Sequence, residues 1–95
     1  DTTLARRVKE KRLAASGKLE CQICRFDFER EYGEVGRGFI EAHHTVPVAE
    51  LNSGTRTKES DLVLVCSNCH RMLHYGSKLL SPEELAARLR SRSET

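Results

Sequence analysis

The apolar residues of this chain come in short, separated groups, and each group has its own period. Over "TTLARRVKEKRLAAS", Leu4, Val8 and the Ala and Leu positions after them fall at helical spacing. Thr2 or Thr3 can cap that helix, and Gly17 can stop it. "GFIEAHH" reads as a strand, entered through the glycine-punctuated "YGEVGRG" and closed by Pro47. Residues 48–61 form a polar connection with room for a helical turn over Val48–Leu51. "LVLV", Leu62 to Val65, is short, apolar and β-branched, which predicts a buried strand. It runs into "CSNCHRMLH", where His70 and His74 stand at i and i+4 on one helical face.

The last group, "LLSPEELAARLRSRS", carries a strong helix start. Ser81 is the cap, Pro82 takes the first helical position, Glu84 completes a capping box, and Leu80 with Leu85 can staple across it. The pattern therefore predicts a single α+β domain over 1–95. Its parts are a helix over 1–17, a Cys-containing core over 21–75 with two strands, and a helix over 81–92. No repeat or low-complexity tract interrupts it.

Composition adds a need for a staple. Ninety-five residues, 38% hydrophobic, with no tryptophan and five aromatics, bury a modest core. The longest apolar run, Leu62 to Cys66, is far too short to span a membrane. No signal-peptide pattern is present, so a cytoplasmic location is expected. A chain that starts at Asp1 suggests a piece of something longer. The formal charge of +2 does not argue for nucleic acid. Its distribution says a little more: residues 1–18 carry six Lys/Arg against two acids, and residues 25–61 carry five against eight.

The four cysteines form two matched pairs, Cys21-x₂-Cys24 and Cys66-x₂-Cys69. Each turn directs two sulfurs to one point, and two turns complete a tetrahedral Zn²⁺ site. Disulfides or a redox dithiol are the rival readings, but neither secretion signals nor a thioredoxin-like βαβ pattern accompanies the pairs. A closed Cys₄ site is structural. It would clamp the 41 residues from Arg25 to Val65.

The four histidines form two clusters. Adjacent helical residues diverge by about 100°, so His70 and His74 turn away from Cys69 and offer half of a second metal site. The remaining imidazoles, His43 and His44, are neighbours at a strand end and point to opposite faces. If one joins His70 and His74, the other stays unligated beside the metal. Three protein ligands, an open position and a nearby neutral imidazole suit hydrolysis. Each histidine alone reads as surface or packing; the clustering carries the case. Glu41 shares the face of His43 and can back the site from the outer shell.

"EAHHTVP" followed by "DLVLVCSNCHRMLH" resembles the HNH, or ββα-metal, endonuclease family, in its zinc-stapled branch with two Cys-x₂-Cys knuckles. The chain looks most like HNH domains at the C-terminal end of restriction-type enzymes, and is similar to those of modification-dependent ones. The resemblance covers roughly Cys21 to His74 and implies the small ββα-metal fold with flanking helices. It also implies His43, His70 and His74 as ligands of a catalytic ion and His44 as general base. The family's central Asn aligns with Asp61, a departure that would let a carboxylate orient His44. Arg71 is a candidate phosphate contact.

The implied reaction is one-metal hydrolysis of DNA phosphodiesters, leaving a 5′-phosphate and a 3′-hydroxyl. The implied cofactors are structural Zn²⁺ and one active-site divalent cation. Three imidazoles favour Zn²⁺, Ni²⁺, Mn²⁺ or Co²⁺ over Mg²⁺ there. The resemblance leaves room for a homodimer that cuts both strands and for a separate DNA-reading domain. The competing readings are a non-catalytic zinc module that binds nucleic acid, a homing or phage HNH nuclease, and a metal hydrolase of another substrate.

Overall fold

A computed structural model describes residues 2–45 and 57–93. Helix α1 spans Thr2–Ser16, and a short helix α2 spans Phe28–Tyr32. Strand β1 is Glu41–His44 and strand β2 is Leu62–Val65. Helix α3 is Ser67–Tyr75 and helix α4 is Pro82–Ser93. The two strands pair antiparallel, with Glu41 opposite Val65 and His44 opposite Leu62. α3 packs on this hairpin and on α4, while α1 leans on β2 from elsewhere. Among the described residues no helix is long and apolar enough to cross a membrane.

Local chemistry explains the ends. Gly17 takes φ +79°, a conformation costly for any residue with a Cβ, and its N–H donates to Leu13. The helix starts at Thr2, whose side chain lies outside the described residues, as do Pro47 and the turn expected over Val48–Leu51. The Ser81 capping box forms in both directions: Glu84 N–H to Ser81 Oγ at 3.0 Å and Ser81 N–H to Glu84 Oε1 at 2.9 Å. Ser81→Ala should therefore lower stability by about 1 kcal/mol. A denaturant midpoint that does not move would count against the cap.

One expectation needs adjustment, and one element goes beyond those that the pattern predicts. The strand expected from Gly38 begins only at Glu41. Gly38 sits at φ +80°, outside the β region, and β2 has no residues left to pair with 38–40 because Cys66 already opens the next turn. Ile40 packs into the core instead, at 2% exposure. The polar stretch after Cys24 also hides α2. Asp27 Oδ1 caps it by accepting from the N–H groups of Glu29 and Arg30. Gly36, just beyond, must be glycine, since a Cβ there would meet the Phe28 carbonyl.

The core has two parts. Leu19, Ile40 and Leu64 form one, covered by Val8 of α1. Cys21, Val65, Cys66, Cys69, Leu73 and Leu85 form the other, with Leu80 against it. Gln22 ties the first knuckle to the sheet. Its N–H donates to Leu64 O at 2.9 Å, and its Oε1 accepts from Leu64 N–H at 2.7 Å. Those two bonds place Cys21 and Cys24 against the start of α3.

Candidate metal centres

Cys66 is the N-cap of α3, and its sulfur accepts from Cys69 N–H at 3.4 Å. In the first knuckle the Cys21 sulfur accepts from the N–H groups of Ile23 and Cys24, each at 3.4 Å. At Cys21 such backbone donors outweigh burial and lower the thiol. All four Sγ atoms lie within 4.8 Å of one another, and Cys24 Sγ stands 3.7 Å from Cys66 Sγ. Four sulfurs at a Zn–S distance of 2.3 Å would be separated by about 3.8 Å. No disulfide joins them. The four cysteines thus make a compact cluster suited to a soft divalent ion. It staples β2 and α3 to the first knuckle.

The histidines separate as strand alternation requires. His43, on the face it shares with Glu41, is 1% exposed and turns toward α3. Ring centroids stand 5.4 Å apart for His43–His70, 5.0 Å for His43–His74 and 5.1 Å for His70–His74. One ligand nitrogen from each lies within 4.8 Å of the others. Burial, reinforced by the neighbouring imidazoles, pushes His43 down to about 4, so it is neutral at physiological pH.

His43 also carries the site's test of fit. Its buried Nδ1 has no hydrogen-bond partner. A dry, unpaired imidazole nitrogen is costly, and an ion at the three-histidine focus is the kind of partner that would satisfy one. These three residues fit a metal.

Glu41 fixes the second member. Its Oε1 lies 2.7 Å from His70 Nδ1, and its Oε2 accepts from Ser67 Oγ at 2.8 Å. The hydrogen bonds from His70 and Ser67 hold the Glu41 carboxyl below the usual carboxylate range. A carboxylate on Nδ1 sets the tautomer that leaves Nε2 with its lone pair free. Ser67 is a partner that residue pattern did not suggest, because its pairing with Glu41 depends on the hairpin register. Glu41→Ala should weaken the ion at this site by about 10- to 100-fold. Calorimetric titration checks it, and an unchanged affinity would remove Glu41 from the site.

His44 leaves the other face of β1. It lines a cleft of about 530 Å³ with Ala42, His70 and His74, walled by Gly76, Ser77 and Leu79. It is not in the three-histidine group but borders the same space. Asp61 sits in a 3₁₀ turn over Glu59–Asp61. Its carboxylate accepts from Lys58 N–H at 2.8 Å, and among the hydrogen bonds of the described residues none joins it to His44. Its backbone carbonyl instead accepts from Thr45 N–H at 2.8 Å and from Thr45 Oγ1 at 3.0 Å, next to His44. Arg71 is exposed on α3, close enough for its charge to help lower Glu41.

Residues 21–76 match the HNH endonuclease family. The chain is also similar to the type IV methyl-directed restriction enzyme EcoKMcrA of Escherichia coli strain K12, 42% identical over 40 residues. That stretch is 42% of this chain and only 13% of the relative's length. No solved structure matches the chain significantly.

Proposed function

The chain belongs to the HNH endonuclease family, and from that premise we propose that it is a DNA-cleaving domain with His44 as general base. His43, His70 and His74 would hold one divalent ion beside it. The observation that carries this reading is the division of "EAHH": one imidazole buried in a three-histidine focus, its neighbour facing the adjoining cleft. A bound divalent cation would supply charge stabilisation to the phosphate. His44 takes a proton from the attacking water, so it must stay neutral and unligated. Glu41 holds His70, and Asp61 steadies the end of β1 through its carbonyl on Thr45. Arg71 contacts a phosphate. Zn²⁺ fills the Cys₄ cluster, and Zn²⁺, Ni²⁺, Mn²⁺ or Co²⁺ suits the imidazole site better than Mg²⁺.

The relative's name supports a place in a restriction system, inside the cell. The residues described here are taken up by fold, zinc and chemistry, so target reading belongs to a separate domain of a longer protein, and cutting both strands calls for two copies. Protein holding only its structural zinc should cleave plasmid DNA once a borderline divalent ion is added. Methylated and unmethylated plasmid should be tested side by side across an ion series. No cleavage with any ion would overturn the nuclease reading in favour of a zinc-stabilised binding module.

A further inference from the structure

Resting on the nuclease reading, the sequence "HRMLHY" repeats a step: His70 and His74 are each followed by a residue about 100° round the helix. Arg71 and Tyr75 therefore stand at i and i+4 on a strip that runs alongside the two imidazoles. Both are exposed. Tyr75 is 85% exposed, and Met72, three residues before it, is 49% exposed. Arg71 forms no salt bridge among the described residues. Just past Tyr75, the exposed Gly76 and Ser77 border the cleft that His44 lines. A ligand lying in that cleft and extending over α3 passes along a cation, a thioether and a phenol ring.

We propose that this strip is a nucleotide platform. Arg71 binds a phosphate next to the one being cut, and Tyr75, with Met72 beside it, stacks on an unpaired nucleobase of the same strand. The occupant is a single strand or a locally opened duplex, because a base within an intact stack offers no free face. An aromatic ring suits such a task without sequence preference, since every base has a π-face. Charge complementarity at Arg71 and continuity with the histidine cleft select DNA over an apolar protein partner, which would leave the arginine unpaired.

The test uses His44→Ala protein with both metals loaded, so that binding is read without cleavage. The probe is a 12-nucleotide oligothymidine with one central 2-aminopurine, offered single-stranded and as a duplex with its complement. The single strand should bind more tightly than the duplex, with its fluorescence quenched by stacking. Tyr75→Ala should lose the quench and weaken single-strand binding by about 5- to 150-fold, with zinc content unchanged. Tyr75→Phe should keep both. Arg71→Ala should weaken both substrates and flatten the salt dependence. Equal binding by Tyr75→Ala, or a Tyr75→Phe loss as large as that of Tyr75→Ala, would overturn the platform. Failure of the nuclease reading shows elsewhere, as absent cleavage by protein with His44 intact.

Discussion

A His44→Ala protein should keep both metals and lose DNA cleavage by about 10²- to 10⁴-fold, the usual worth of a positioned general base. The expectation follows from where β1 puts its two imidazoles. His43 is buried against α3 with a nitrogen that has no hydrogen-bond partner, whereas His44 opens into the cleft and lies outside the three-histidine group. Truncating His44 removes a proton acceptor and no ligand. His43→Ala should do the reverse, losing the second ion first and activity as a consequence. Metal content by elemental analysis, read beside plasmid cleavage, separates the two. Cleavage by His44→Ala at the parent rate would end its assignment as base, and loss of the second ion in that variant would make it a ligand instead.

How much of this was legible in the sequence depends on the range of the signal. Spacing alone announced the cysteine pairs, the i and i+4 histidines and the capping box at Ser81, because each is set within a turn or two of chain. The division of His43 from His44 was legible too, since strand alternation is a local rule. Glu41 could be placed on the right face by the same rule, and its bond to His70 fits that placement. Its second bond, to Ser67, could not be foreseen, because 26 residues separate the partners and only the hairpin register brings them together. Gln22 was missed for the same reason, as its partner Leu64 lies 42 residues on. Helix α2 was a different kind of miss. Asp27 before "FERE" is a cap signal, but the segment is only five residues long and buries none of them, so no periodic pattern marked it. The family position of Asp61 implies a carboxylate turned to His44, whereas its carboxylate accepts from Lys58 N–H and its carbonyl accepts from Thr45.

Removing the Cys₄ ion should have the largest effect on stability. Three of the four cysteines are buried inside the core cluster with Val65, Leu73 and Leu85. Structural zinc contributes about 10–16 kcal/mol in small zinc-dependent folds, as much as the whole stability of a typical domain. Cys66→Ala, or a strong chelator, should therefore leave the chain unfolded, with loss of its helical circular dichroism. A chelated protein that melts as before would refute the staple. The dependence on pH has a definite sign. Burial pushes the Cys24 thiol up to about 11 and raises Cys69 further, while at Cys21 the same burial is outweighed by backbone N–H groups and the thiol is lowered. Without metal, Cys24 and Cys69 hold protons at neutral pH that zinc must displace, so loading releases protons and affinity falls as pH falls. The two metals should also be lost in a fixed order of consequence. Cys66, Cys69, His70 and His74 all sit at or on α3, so stripping the staple dissolves the histidine site with it. Stripping the histidine site alone should leave the fold standing, because β1, β2 and α3 are also held together by the strand pairing and by the core cluster around the cysteines.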